Sequence, residues 1–307
     1  MRVPILQPTT STPSLASVFE DPRRILRHCL VFGAVILRGF PDAGDMFGSV
    51  IKHCDFDHIG SAAPRTRVSE GVFTANDAPP DAVIPFHHEL SQSLERPTHL
   101  MFHAVVPPSP GCGGETVLVD SRSISKFVQR QWPAVAHDLD DGIVYRRTMP
   151  ETTDASSPIG RSWRDTLGVY TRVEAERVLA HQCMSWRWTE AGLWTQSRTL
   201  PAFRHHPVNG ELSFCNSLIA AHTGWNDDRN NGSTSVLFAK NERPLPVDFV
   251  RDVQQFAWEH RFECKWNTND VLVVDNTNTM HARNAYSGRR TLHVRMIKTS
   301  HVRQHSV

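Results

Sequence analysis

Short β-branched and apolar runs, each stopped within a few residues by a turn-former, constrain this chain more than any other feature. Residues 68–74, 98–106, 115–120, 202–206, 212–216, 262–266, 271–274 and 290–297 read as strands, as does the stretch that opens at Val83. Between them fall Ala78-Pro79-Pro80, Pro107-Pro108, the glycine-rich 111–114, Asn209-Gly210, Asn269-Asp270 and Ser287-Gly288. Proline and glycine break strand ladders, and Asn-Gly is a tight hairpin signal. Residues 31–40 form a further buried strand closed by a glycine turn. Helical spacing is confined to a few places. Asp21-Pro22 opens a helix through Ile25, Leu26 and Cys29, with proline at the first helical position. Residues 45–54, 123–136 and 173–180 follow, and 246–260 places Phe249, Val253 and Phe256 on one face. The expected fold is mainly β with flanking helices (α+β), a sandwich or double-stranded barrel. One domain is expected over 16–307, with insertions near 146–181 and 224–235. Residues 1–15, rich in Pro, Ser and Thr, read as a loose arm. The turn-rich 149–160 stretch reads either as a lid or as a surface excursion.

Charge narrows the function classes. Lys plus Arg number 33 and Asp plus Glu 32, a balance that argues against nucleic-acid or membrane-surface binding driven by net charge. No run of ~18 apolar residues suggests a membrane span, and the N-terminus lacks the basic-then-apolar pattern of a secretion signal. The six cysteines, at 29, 54, 112, 183, 215 and 264, are scattered without a Cys-x-x-Cys pair. That pattern suits reduced thiols in a cytoplasmic protein.

Phe86-His87-His88-Glu89 carries the chemistry. On an extended strand, residues two apart share a face, so His87 and Glu89 present two parts of a 2-His-1-carboxylate metal site. The third candidate is His281, which follows the apolar 271–274 strand and a polar turn. His88 should point away from that face. His99 and His103, and the adjacent His205 and His206, read as structural. Arg289, Arg290 and Arg295 lie on the return strand. An iron site that activates O2 through a 2-oxo acid needs such a cation to hold the far carboxylate. Substrate-binding candidates are Ser91, Gln92 and Asn216, with Arg283, which shares the His281 face and either orients substrate or forms a rim salt bridge.

Several motifs in the same order resemble the TauD/TfdA superfamily of Fe(II)/2-oxoglutarate dioxygenases. They are His87-x-Glu89, Gly113-Gly114-Glu115-Thr116, Asp275-Asn276 with Met280-His281-Ala282-Arg283, and Gly288-Arg289-Arg290. The likeness runs from the 33–40 strand to Met296, and glutamate at 89 is similar to the clavaminate synthase-like branch. It implies a double-stranded β-helix (jelly roll) core. It implies His87, Glu89 and His281 as Fe(II) ligands. It further implies Thr116 and Arg290 as anchors of the 2-oxoglutarate C5 carboxylate, with Arg295 as the fallback. Strand parity sets 290 and 295 on opposite faces. The implied reaction consumes O2 and 2-oxoglutarate, releases succinate and CO2, and hydroxylates an unactivated C–H of an amino acid or amino-acid-derived natural-product intermediate. Desaturation or oxidative cyclisation by the same oxidant is the alternative. Related halogenases leave the carboxylate position open for halide, so Glu89 disfavours halogenation. A non-redox Zn or Mn enzyme on a barrel and a purely structural sandwich are the rival classes. The expected partner is a small molecule, free or carrier-bound, with no nucleic acid and no membrane; the sequence specifies no oligomeric state.

Overall fold

The computed structural model describes residues 1–49, 56–58, 65–75, 78–93, 95–157 and 159–299. Two sheets face one another. The larger, eight-stranded among the described residues, runs in the order Ile5–Leu6, Ala34–Leu37, Val271–Asp275, His99–Val106, Thr291–Thr299, Val72–Thr74, Arg67–Ser69, and Phe56–His58 also pairs with Thr291–Thr299. The smaller is Phe262–Cys264, Thr116–Asp120, Thr279–Arg283 and Ile84–His87, antiparallel throughout. Strand alternation explains the space between them. Ile36, Leu100, Phe102, Leu272, Val294 and Met296 of the large sheet meet Leu118 and Cys264 of the small one in a single apolar cluster.

The outer face of the small sheet is apolar too, because helices cover it. Phe86, Val117, Val119, Met280 and Ala282 pack against Ile124 and Val128 of helix Ser121–Gln131, Leu218 of helix Leu218–Gly224, and Phe249 and Val253 of helix Val247–Glu259. Phe86 is fully buried and meets Trp258 edge-on with ring centroids 5.0 Å apart, a burial worth about 1.5–3 kcal/mol. These helices all belong to residues 121–261. That stretch is inserted between two strands that are direct neighbours, Phe262 lying opposite Leu118.

Several expectations need correction. The first residues are no loose arm: Ile5 and Leu6 pair in parallel with Ile36 and Leu37, Val3 and Leu15 are buried, and the Met1 ammonium donates to the His260 carbonyl. Sequence polarity hid this because a two-residue edge strand needs few apolar side chains. The 31–40 strand shrinks to Ala34–Leu37, since helix Pro22–Phe32 continues until Gly33 adopts a left-handed conformation. The expected 123–136 helix is two, because Pro133 starts a second one, Pro133–Asp140. Of the 45–54 helix only Ala43–Met46 is seen, and residues 50–55 lie outside the described residues.

A further four-stranded sheet, Ser185–Thr189, Gly192–Gln196, Ile143–Met149 and Val236–Phe238, was not expected, and only its Ile143–Met149 strand overlaps the 146–181 insertion. Asp154 and Ser157 are tied down beside it. Arg229 bonds Asp154 at 2.8 Å, and the Ser157 hydroxyl donates to Asp227 at 2.8 Å. Cys29, Cys112, Cys183, Cys215 and Cys264 are free thiols, and Cys54 lies outside the described residues. No helix among the described residues is long and apolar enough to cross a membrane.

Candidate metal centre

His87 is the last residue of its strand and sits directly opposite His281 in register. Cross-strand partners bring side chains together, and the two imidazole centroids are 4.2 Å apart. Glu89 arrives differently. The strand ends at His87, so Glu89 lies in a turn rather than two residues along a pleated face. Asn276 holds that turn from both sides, accepting from the Glu89 amide at 2.9 Å and donating to its carbonyl at 3.0 Å. Leu90 follows in a left-handed conformation, φ 53°, which a non-glycine residue adopts only under constraint. His88 points away as expected: it is fully buried, with Nδ1 at the Asn216 carbonyl (3.0 Å) and Nε2 at the Ser121 hydroxyl (3.0 Å).

One ligand atom from each of His87, Glu89 and His281 lies within 4.8 Å of the others. Glu89 Oε2 is 4.0 Å from His87 Nε2 and 3.7 Å from His281 Nε2. These separations are too long for hydrogen bonds. His87 Nδ1 sits 2.8 Å from the Pro85 carbonyl, so a proton held there leaves Nε2 with its lone pair. His281 Nδ1 is buried without a partner among the described residues. Burial, reinforced by nearby Arg65, holds both imidazoles below their ordinary pKa and therefore neutral. Burial pushes the other way on Glu89, but the Arg65 guanidinium, through its charge and its hydrogen bond, keeps the carboxyl below the usual carboxylate range. Two neutral imidazoles and one carboxylate, converging without bonds among themselves, fit a divalent cation with N/O preference.

The same cavity is lined by Arg65, His87, His281, Thr116, Arg283 and Arg290. Thr116 is buried opposite Arg283 in register. Arg290 donates from Nε to the Gly114 carbonyl at 2.7 Å and lies over the Tyr286 ring, 5.5 Å from its centroid. Burial and neighbouring Arg283 push its pKa down to about 10, so it stays charged near neutrality. No carboxylate of a described residue pairs with it. A half-buried guanidinium facing a cavity with no carboxylate bonded to it suits a carboxylate ligand. Glycine is required before Thr116: a Cβ on Gly113 would meet the Ala285 carbonyl at 2.1 Å, and one on Gly114 would meet Arg290 Cδ at 2.9 Å.

The remaining candidates divide. Arg295, the fallback anchor, lies on the opposite face and donates to the Gly48 and Glu70 carbonyls, both at 2.8 Å, so it is not in the cavity. Ser91 and Asn216 are not free for substrate. The Ser91 hydroxyl is bonded to Ser217 at 2.6 Å; Asn216 donates to the Ala202 carbonyl and accepts from the Leu218 amide, both at 2.9 Å. Gln92 lines a separate cleft with Gln182 and Arg198. Only Arg283 faces the cavity. Among the described residues it forms no rim salt bridge but donates to the carbonyls of Ala78, Pro79 and Ala82, and its Nε has no partner there. The expected structural histidines are engaged elsewhere: His206 pairs with Asp275 at 3.0 Å, and the His103 ring lies tilted against Phe47, centroids 5.0 Å apart. Sequence reasoning missed Arg65, and it marked the Asp275-Asn276 motif without its hold on Glu89. A buried amide just past the apolar 271–274 run signals a structural bond; Arg65 lies in a stretch with no periodicity to mark it.

These features have close counterparts in known proteins. Residues 7–296 match the family described as taurine catabolism dioxygenase TauD, TfdA family. A clavaminate synthase-like protein of Arabidopsis thaliana is 36% identical over 286 residues, covering 91% of this chain and 86% of that protein. The dapdiamide synthesis protein DdaC of Enterobacter agglomerans is 22% identical over 279 residues, covering 86% and 82% respectively. Among solved structures, PvcB, an Fe, alpha-ketoglutarate dependent oxygenase from an isonitrile synthetic pathway, aligns with TM-score 0.53 at 14% identity, over 97% of this chain and 86% of its own. AAD-2 in complex with Mn(II) and N-oxalylglycine aligns with TM-score 0.52 at 15% identity, over 91% and 88%. The chain belongs to the TauD/TfdA dioxygenase family. It is accordingly an oxidoreductase that uses iron, 2-oxoglutarate and O2.

Proposed function

We propose that this dioxygenase hydroxylates an unactivated C–H of a small amino acid or amino-acid-derived natural-product intermediate, with His87, Glu89 and His281 as its Fe(II) ligands. The observation that carries the reading is the convergence of these three donors on one cavity that also holds Thr116 and Arg290. The names of two relatives, one in dapdiamide synthesis and one in an isonitrile pathway, support the substrate class. We read the two facing sheets as a double-stranded β-helix and the chain, its Ile5–Leu6 strand included, as one catalytic unit in the cytoplasm.

Iron with 2-oxoglutarate and O2 supplies the oxidant for C–H cleavage, and the protein's own residues supply geometry. The imidazoles offer neutral Nε2 lone pairs, and Glu89 offers an anionic oxygen. Arg290 and the Thr116 hydroxyl hold the far carboxylate of 2-oxoglutarate, the guanidinium through charge and the hydroxyl through a directed hydrogen bond. Phe102, whose ring centroid lies 5.8 Å from that of His281, and Ile84 wall the cavity with hydrocarbon and keep water from the reacting carbon.

The test is an amino-acid panel assayed for succinate release, followed by product mass. Gain of one oxygen supports hydroxylation. Loss of two hydrogens assigns the same site to desaturation or ring closure. Turnover with His281→Ala equal to wild type removes His281 from the centre.

A further inference from the structure

Because Glu89 lies in a turn, neither pleat nor register decides where its carboxylate points. Asn276 fixes the main chain of the residue but leaves the side-chain torsions free. Arg65 fixes the far end. Its Nη2 donates to Glu89 Oε2 at 2.8 Å, its Nε to the Ala75 carbonyl at 3.0 Å, and its Nη1 reaches Met296 Sδ at 3.4 Å. Both side chains of the pair are 4% exposed, so solvent offers neither an alternative partner. The oxygen that Arg65 holds is the one that faces both imidazoles, at 4.0 and 3.7 Å. A carboxylate oxygen has two lone-pair sites, enough for a guanidinium hydrogen bond and a metal together.

We propose that Arg65 is a positioning residue of the metal centre: by holding Oε2 it aims the Glu89 carboxylate at His87 and His281. The proposal rests on the reading of those three residues as ligands. Ligating carboxylates are commonly held by hydrogen-bonding partners outside the ligand set, and loss of such a partner weakens metal binding tenfold to a hundredfold. Here the need is greater than on a strand, because the turn gives the side chain no neighbour in register. Arg65 also differs from Arg283 and Arg290, which share the cavity but contact no ligand. Its three contacts, to Ala75, Met296 and Glu89, fix the guanidinium plane, and the plane fixes the carboxylate.

The experiment measures Mn(II) affinity by calorimetry, without turnover, for full-length wild type, Arg65→Met, Arg65→Lys and His281→Ala. Arg65→Met should bind about 10- to 100-fold more weakly. Arg65→Lys should recover part of the loss, because an ammonium can still donate to Oε2. Thermal unfolding in chelator separates aim from folding: a merely structural arginine lowers the midpoint and leaves the affinity of the folded protein unchanged. Wild-type or tighter Mn(II) binding by Arg65→Met overturns the proposal, as does Arg65→Lys binding no better than Arg65→Met while folded. His281→Ala is the separate control. If it keeps wild-type affinity, the ligand assignment itself falls; if it loses binding while Arg65→Met does not, only the role of Arg65 falls.

Discussion

Replacing Gly114 by alanine tests the 2-oxoglutarate anchor without touching either residue assigned to it. Gly114 has φ +79°, and a Cβ there would stand 2.9 Å from Arg290 Cδ and 3.0 Å from Tyr286 Cβ. Two costs follow. The left-handed backbone costs alanine about 1–2 kcal/mol of stability. The methyl also has to displace the Arg290 stem, whose Nε bond to the Gly114 carbonyl holds the guanidinium in the cavity. A charge-assisted hydrogen bond lost to 2-oxoglutarate is worth about 1.5–3 kcal/mol, roughly a tenfold to 150-fold weaker affinity. The assay is anaerobic titration of 2-oxoglutarate into Fe(II)-loaded protein, read by the visible charge-transfer band, with Mn(II) affinity measured separately. Gly111 provides the control. Its φ is +79° as well, but nothing lies within 4 Å of its Cβ position, so Gly111→Ala carries the backbone cost alone. The expected pattern is a loss of stability in both variants, larger in Gly114→Ala, weakened 2-oxoglutarate binding only in Gly114→Ala, and Mn(II) binding unchanged in both. If Gly114→Ala binds 2-oxoglutarate within twofold of wild type, or Gly111→Ala weakens it equally, the steric argument is wrong and Arg290 is not positioned through Gly114.

Arg290→Ala should abolish the charge-transfer band at millimolar 2-oxoglutarate, whereas Arg295→Ala should keep it and lose only stability, since Arg295 ties Gly48 and Glu70; the reverse result would exchange their roles. Stability should depend on pH with a definite sign. His87, His99 and His281 are held neutral below their ordinary value of 6.5, so the unfolded chain binds more protons and stability falls as pH drops below about 6.5. Glu89 and Asp275 are held below 4.5 and 3.8 respectively, which adds a further loss in more acid solution. Urea midpoints that stay flat between pH 7.5 and 5 would contradict this. Mn(II) at a hundred times its Kd should stabilise the protein by about 2.7 kcal/mol, and His281→Ala should remove that gain in the same melting experiment.

The sequence revealed most of what repeats and little of what is held by a single distant contact. The strands around His99, Thr116, Val271 and Thr291 were legible because their apolar runs are bounded by Pro, Gly and Asn. The hairpin of Ser185–Thr189 and Gly192–Gln196 alternates tryptophan with polar residues, yet its arginines and exposed face masked it. Opposite faces for residues 290 and 295 followed from parity and hold in the structure. The same parity was misapplied to Glu89, since the strand stops at His87 and a turn delivers the acid. Ser91 and Asn216 sit beside the centre in sequence or space, but short polar side chains in a buried turn satisfy one another before they meet a ligand. Arg65 lies in a stretch without pattern, and only the folded chain shows that it reaches Glu89.

The insertion of residues 121–261 leaves and re-enters the small sheet through adjacent strands, with Val117 opposite Glu263 and Thr116 opposite Cys264. Its two ends are therefore stitched together by the sheet itself, whatever lies between them. Lengthening a connection whose ends are already fixed costs little, about 0.6 kcal/mol for each doubling. The chassis that carries Thr116, His281 and Arg290 can in this way accept exchanged or enlarged modules on its outer face while the inward-facing side chains stay where they are. The cost falls on kinetics: the Thr116–Cys264 pairing joins residues far apart in sequence, and such non-local contacts slow folding.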